Sequence, residues 1–294
     1  MKFLSGFIAL VGPPNVGKST LLNRILGKKV AIVTPKPQTT RNRIVGIFHG
    51  EGFQMAFVDT PGIHKTRTPL HRSMVSSAQA VFKEVDITAV MVEMPRPYPP
   101  ELPMILGCLK KSKRPSLLII NKIDKGQKQK LLPIIDELRR LHPFKSILPV
   151  SAQSGEGVDR LLKELTAMLR PGPAFFSPDM ETDQSETFLV SEMIREKIYL
   201  HTRQELPYSV AVTVSHMEEA QEKRLLLISA RIHVETESQK GILIGKGGKM
   251  IKMIGRESRE ELEGFFGIQV YLDLVVRVDK NWSRDPKALR KLGY

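Results

Sequence analysis

Acidic side chains are in short supply: 31 Asp and Glu stand against 45 Lys and Arg in 294 residues, a formal net charge of +14. Such a deficit favours a polyanionic partner, nucleic acid first and an anionic membrane surface second, with plain solubility charge as the bland alternative. Cysteine is nearly absent. Cys108 stands alone, which excludes disulfides within the chain and zinc sites built on cysteine pairs. The seven histidines are scattered without ligand spacing. No apolar run approaches the ~18 residues of a membrane-spanning helix. The opening MKFLSGFIALVG has one Lys and a short apolar run but no small-residue cleavage site, so it reads as a first strand and not a signal peptide. A reduced, cytoplasmic protein is expected.

Hydrophobic residues make up 41%, enough for folded cores, and the length favours two domains. Over residues 1–170 short β-rich runs alternate with amphipathic stretches. The runs are Gly6 to Gly12, Ile44 to His49, Gln54 to Thr60, Ile87 to Glu93, Ser116 to Asn121 and Ser146 to Ser151; helical patterns cover Lys128 to Leu141 and Val158 to Leu169. Several runs are apolar on both faces, as strands between two helix layers must be. The prediction is an α/β, doubly wound, mostly parallel sheet, with phosphate ligands at the carboxyl ends of its strands. Residues 171–185, with prolines followed by an acidic polar stretch, read as a linker. Over residues 186–294 the order becomes helix, two strands, helices about a glycine turn, and a last strand, which predicts a smaller α+β domain. The proline-rich loop Pro95 to Pro100 has no functional reading from sequence.

GPPNVGKS, Gly12 to Ser19, fits the G-x-x-x-x-G-K-[ST] pattern between a buried strand and a helix. Glycines there let backbone amides approach phosphate oxygens, and the helix N-terminus adds partial positive charge. Lys18 would reach the outer phosphates and Ser19 would offer a hydroxyl to Mg²⁺. DTPG, Asp59 to Gly62, follows a strand, so that its carboxylate can hold Mg²⁺ through water while the Gly62 amide senses the terminal phosphate. NKID, Asn121 to Asp124, follows another, and Asp124 can accept two hydrogen bonds from the N1 and N2 edge of guanine. Adenine has no donors there, so the same carboxylate would stand unpaired. SAQ, Ser151 to Gln153, can close over the base. Each short motif alone is weak; their order, each at a strand end, carries the reading.

GPPNVGKST, QTTRNRIVGI, DTPGIHK, NKID and SAQ together resemble the Era family of bacterial GTPases, and the resemblance extends through the ending DKNWSRDPKALRKLGY. It implies a GTP- and GDP-binding, GTP-hydrolysing switch that uses Mg²⁺. The nucleotide set would be Gly12, Pro13, Pro14, Asn15, Val16, Gly17, Lys18, Ser19 and Thr20 in the phosphate loop, with Asp59, Thr60, Pro61, Gly62 and Ile63 after the third strand. Asn121, Lys122, Ile123 and Asp124, with Ser151, Ala152 and Gln153, would complete it. QTTRN, Gln38 to Asn42, would be the first switch, with Thr40, and Thr39 as second choice, joining Ser19 and Asp59 at Mg²⁺. Lys18, Thr40 and Gly62 would then act on the reacting phosphate. Pro13 departs from many relatives, which carry Arg. Ile63 stands where a Ras-like enzyme has a water-orienting glutamine, so water must be positioned by other means. Asn15 has two readings: a loop-stabilising amide, or, by resemblance, a ligand of K⁺.

GILIGKGGKMIKMIGRESREELEGFFG carries the second signal. Gly245, Lys246, Gly247 and Gly248 form a GxxG turn, and in the order α-β-β-α-α-β the domain resembles a type II KH domain. On the following helix Lys249, Lys252, Arg256 and Arg259 fall on one stripe, while Ile251, Ile254, Ser258, Leu262 and Phe265 form a core face. A solvated face with intrahelical ion pairs is the alternative. With Lys246 at the turn, single-stranded RNA is the favoured ligand of Gly245–Gly248, Lys249, Lys252 and Arg256. By resemblance the RNA is the 3′ end of small-subunit ribosomal RNA, the partner is the small ribosomal subunit during assembly, and the protein is a monomer. Peripheral contact with the anionic inner face of the cell membrane is the competing use of the charge.

Overall fold

The computed structural model describes residues 2–37, 39–62, 69–220 and 224–294. Gln38, Ile63, His64 and Lys65, which the motifs QTTRN and DTPGIHK include, lie outside them. The chain forms two compact units: the first takes in residues to Asp183 with short exceptions such as Ile32–Lys36, and the second contains Gln184–Tyr294.

In the first unit β1 (Leu4–Val11), β2 (Ile44–Gly50), β3 (Phe53–Asp59), β4 (Ile87–Glu93), β5 (Ser116–Asn121) and β6 (Ile147–Pro149) form one sheet. They lie in the order β2-β3-β1-β4-β5-β6, with β2 antiparallel to β3 and the other neighbours parallel. Between them run α1 (Lys18–Leu26), α2 (Pro69–Glu84), α3 (Leu102–Ser112) and α4 (Leu131–Leu141), and α5 (Val158–Met168) follows. Strand alternation decides which helix covers which face. Ala9, Val11, Val45 and Ile47 pack with Ala78 and Phe82 of α2, Ile105 of α3 and Leu138 of α4. The alternate positions Gly6 and Gly46 face the other layer, where a Cβ on Gly46 would lie 2.6 and 2.7 Å from Leu26 and Leu22 of α1, and one on Gly6 would lie 2.8 Å from Leu169 beyond α5. Both faces are covered, as the doubly apolar strands require.

Segment 171–185, read as a linker, does structural work up to Asp183. β7 (Arg170–Pro171) pairs with the start of β1. Gln54, 1% exposed, then accepts from the Phe175 and Phe176 amides at 2.8 and 3.1 Å and donates to the Phe176 carbonyl at 2.8 Å. Farther on, the Ile47 amide donates to Glu181 O at 2.8 Å and the Val45 amide to Asp183 Oδ1 at 3.2 Å. These bonds close the outer edge of β2, whose groups would otherwise stand free.

The second unit runs α6 (Glu186–His201), β8 (Ala211–Ala220), β9 (Leu225–Val234), α7 (Glu237–Ile244), α8 (Lys249–Phe266), β10 (Gln269–Val278) and α9 (Pro286–Lys291). Its sheet has β9 central, antiparallel to β8 and parallel to β10. Ile254, Ser258 and Leu262 are fully buried as the core face of α8. Phe265 corrects that face: it is 41% exposed, and Phe266 packs on the core instead. Four residues on from Leu262, the ridge continues at 266, not 265.

Candidate functional site

The phosphate loop is shaped by close approaches that exclude side chains. A Cβ on Gly12 would lie 2.6 Å from Met91 O, and one on Gly62 would lie 2.7 Å from Pro14 N. Gly17 has φ 99° and ends the loop as the N-cap of α1. Neither a capping side chain nor an acidic residue occupies the first turn of α1, so its leading amides face the loop with their partial positive charge uncancelled. Pro13 and Val16 are buried beneath the loop; Pro14 and Thr20 are half-buried. Asn15 is exposed with φ 62°, a left-handed position that asparagine tolerates.

Lys18 is 6% exposed and donates to Gly12 O at 3.2 Å and Pro13 O at 3.0 Å. Burial lowers its pKa to about 8, with Asp59 pulling the other way. Asp59 is fully buried, and that burial raises its pKa against the opposing effects of Lys18, Ser19 and Thr40. Ser19 Oγ donates to Asp59 Oδ2 at 2.6 Å and lies 2.9 Å from Thr40 Oγ1, which is 3.4 Å from the same oxygen. The convergence selects Thr40 over Thr39 as the threonine of this cluster. Asp59 Oδ1 has no hydrogen-bond partner among the described residues, although a buried carboxylate oxygen normally has one. Two hydroxyls and a carboxylate with an orphaned oxygen form a hard, all-oxygen donor set, and this fits Mg²⁺ completed by phosphate and water. Thr60 donates to Leu10 O at 2.9 Å, and Pro61 and Gly62 are buried beside Pro14.

Asn121, 1% exposed, is a brace. Its Nδ2 donates to Val16 O at 2.8 Å and its Oδ1 accepts from the Ala152 amide at 2.9 Å. That ties the phosphate loop to SAQ and leaves one N–H and one lone pair for a base. The exposed Asp124 is positioned by Ser151, whose hydroxyl donates to Oδ1 at 2.6 Å while accepting from Ser154 N at 3.2 Å. Asp124 Oδ2 has no hydrogen bond among the described residues. Ile123 is buried and Gln153 exposed. Lys122, at φ 59°, donates to Asn15 O at 2.6 Å and pairs with Glu93. Glu93 and Arg24 escaped the sequence reading: Arg24 Nε donates to Ala152 O at 3.2 Å and Nη2 to Gln153 O. Only its place on the helix after the phosphate loop could have drawn notice to Arg24.

In the second unit the turn between α7 and α8 has Gly245, Gly247 and Gly248 at φ 70°, 62° and 75°. A Cβ on Gly245 would lie 2.8 Å from Met250 Cβ, whereas one on Gly247 would meet nothing within 4 Å. The turn is thus packed underneath and open outside. Lys246, Lys249, Lys252 and Arg256 are exposed around it, and the first turn of α8 has no acidic residue. The alternative reading holds for part of the stripe: Arg256 and Arg259 lie 3.9 Å from Glu260 and Glu263. Lys246, Lys249 and Lys252 have no carboxylate at ion-pair distance among the described residues. Open glycine backbone, three available cations and a helix N-terminus suit a phosphodiester chain.

Comparison with known proteins gives a consistent picture. Residues 7–122 match the family described as 50S ribosome-binding GTPase, and residues 205–283 match the KH domain. The chain is 53% identical to GTPase Era of Syntrophus aciditrophicus over 292 residues, covering 99% of this chain and 95% of that one. Identity to GTPase Era of Geotalea uraniireducens is 49%, covering 100% and 98%. Among solved structures, Era with MgGDPNP and nucleotides 1506–1542 of 16S ribosomal RNA superposes with a TM-score of 0.96 at 39% identity, covering 99% of both chains. A variant of Aquifex aeolicus Era bound to GDP.AlF4⁻ gives 0.95 at 40% identity, covering 100% and 99%. The first family description spans only the nucleotide domain, so the subunit it names does not extend to the whole chain.

Proposed function

The chain belongs to the Era family of GTPases, and from that premise we infer that it is a GTP-hydrolysing switch that binds the 3′ end of small-subunit ribosomal RNA and acts in small-subunit assembly. Asp59 is the observation that carries the nucleotide reading: a fully buried carboxylate with one oxygen taken by Ser19 and Thr40 and the other unpartnered among the described residues, directly beside the phosphate loop.

Phosphoryl transfer is largely positioning and charge neutralisation. The loop amides and α1 hold the phosphates, and Lys18 exchanges its two carbonyl bonds for phosphate oxygens, where its charge is fully restored. The Ser19 and Thr40 hydroxyls, with Asp59 behind them, would hold Mg²⁺, which would supply charge neutralisation at the outer phosphates. Thr40 thereby links the first switch to the presence of the terminal phosphate, and the Gly62 amide senses that phosphate from the other side. Asp124 selects guanine, Asn121 and Arg24 keep SAQ against the phosphate loop, and Lys122 stiffens the space between them. Asn15 supplies an exposed amide on which a K⁺ ion would replace the missing charge of an arginine finger. The protein acts as a cytoplasmic monomer on the small ribosomal subunit, its glycine turn gripping single-stranded RNA.

Gly247→Asp tests the RNA half. The position has room for a side chain and a φ that Asp tolerates, so the fold survives while a negative charge meets the incoming phosphate. Filter binding to a 3′-end oligonucleotide should show binding abolished with GTP affinity unchanged. Retained binding would remove the turn from the RNA site.

A further inference from the structure

A second basic surface lies on the nucleotide unit, at the other end of its sheet from the nucleotide site. It has two arms. One is Lys110, Lys111, Lys113 and Arg114, at the end of α3 and in the loop after it; the other is Arg139, Arg140 and Lys145, at the end of α4 and before β6. All seven are exposed. The arms meet in space: the Lys145 amide donates to Ser116 O at 2.8 Å, His142 Nε2 lies 3.1 Å from Ser116 Oγ, and Lys110 is near enough to His142 to help burial lower its pKa. Neither 110–114 nor 139–145 contains an acid. Of the nearby carboxylates, Glu164 accepts from Ser146 and Glu137 from Tyr98, and Asp136, exposed one turn before Arg139 and Arg140, makes no ion pair with them among the described residues. None of the seven cations forms an ion pair among the described residues.

The carboxyl ends of helices attract cations, and Lys110, Lys111, Arg139 and Arg140 sit in last turns. Lys113 is the C-cap of α3, whereas Arg114 and Lys145 lie beyond the helix ends. Seven exposed like charges with no ion-paired carboxylate among the described residues repel one another, and a polyanion relieves that repulsion more strongly than dilute salt does. The patch flanks the amino ends of β5 and β6, whereas the nucleotide motifs follow the carboxyl ends, so the six-residue β5 separates them by roughly 20 Å.

We propose that this surface is a second RNA-binding site, one that takes the phosphate backbone of structured ribosomal RNA while the glycine turn takes the single-stranded 3′ end. The inference rests on the RNA-binding reading above. Backbone binding needs exposed, unpaired cations without base-reading geometry, and the patch has that composition. A membrane surface is less well matched, because Leu141 is the one large apolar side chain exposed within the two arms and offers no inserting face. Two contacts to one RNA make the second intramolecular and raise avidity without tightening either alone.

The test uses full-length protein and two variants on separate elements, Lys110→Ala/Lys111→Ala/Lys113→Ala/Arg114→Ala and Arg139→Ala/Arg140→Ala/Lys145→Ala. Each is titrated over a salt series against full-length small-subunit rRNA, a short 3′-end oligonucleotide, and phosphatidylglycerol vesicles. On the full rRNA the first variant should flatten the slope of log K against log salt by about 3 and the second by about 2, with at least about tenfold weaker binding at physiological salt. Oligonucleotide affinity and GTP hydrolysis should match wild type. Unchanged slope and affinity on the full rRNA for both variants overturns the proposal. So does equal loss on the oligonucleotide, which makes the surface no separate site, or loss on vesicles alone, which makes it a lipid contact. Failure of wild type to bind the oligonucleotide counts instead against the glycine-turn reading.

Discussion

Replacing Asn121 with Ala should weaken the protein before any nucleotide is added. The side chain makes two buried hydrogen bonds, to Val16 O at 2.8 Å and from Ala152 N at 2.9 Å. Alanine leaves that carbonyl and amide without partners, and a buried unsatisfied group costs about 1–3 kcal/mol. Some water entry beside Gly17 offsets part of the loss, so a destabilisation of about 2–4 kcal/mol is expected, a fall of roughly 5–10 °C in melting temperature for a unit of this size. Asp124→Asn provides the contrast. Its amide oxygen still accepts from Ser151, so melting should stay within about 1 °C of wild type, as for a surface change. Its GTP affinity should nevertheless drop at least about tenfold, because an amide cannot accept both guanine donors and charge-assisted bonds contribute about 1.5–3 kcal/mol each. Xanthosine triphosphate, which carries a carbonyl in place of the amino group, should bind the variant better than GTP does. Calorimetric melting of nucleotide-free protein and titration with both nucleotides decide the matter. If Asn121→Ala melts with wild type, the brace is not holding the loops; if Asp124→Asn keeps GTP affinity within about twofold, Asp124 does not read guanine.

Other outcomes follow from the same geometry. Isolated protein should hydrolyse GTP on the order of 10⁻⁴–10⁻² s⁻¹, faster in potassium than in sodium, and Asn15→Ala should erase the salt difference; equal wild-type rates in the two salts would defeat the cation role. Lys18 has a folded pKa of about 8 against 10.5 unfolded, so between those values the unfolded chain holds more protons and stability rises with pH. Nucleotide-free wild type should therefore gain up to about 3 kcal/mol over Lys18→Met from pH 8 to 10.5, measured by denaturant unfolding. Parallel curves for the two proteins would place Lys18 in a wetter site.

Local sequence determined a great deal here. A left-handed turn, an open helix N-terminus or a buried parallel strand is set by the residues that form it, so the phosphate loop, DTPG, NKID, SAQ and the GxxG turn were all readable, as was the α-β-β-α-α-β order. The tertiary structure decided what depends on groups distant in the chain. It chose Thr40 over Thr39 by bringing one hydroxyl to Asp59, turned Asn121 into a brace across 105 residues, and put Arg24 on the SAQ carbonyls. Segment 171–183 is fixed to the sheet edge mainly through its own backbone groups, which meet the Gln54 side chain and the backbone of β2 and leave little side-chain pattern within the segment to read. Phe265 and Phe266 are chemically alike, and only the packing of α8 against its sheet half-buries one and leaves the other exposed. Two short basic runs, 110–114 and 139–145, carry no motif along the chain; the sheet places them side by side, because adjacent parallel strands begin at the same edge.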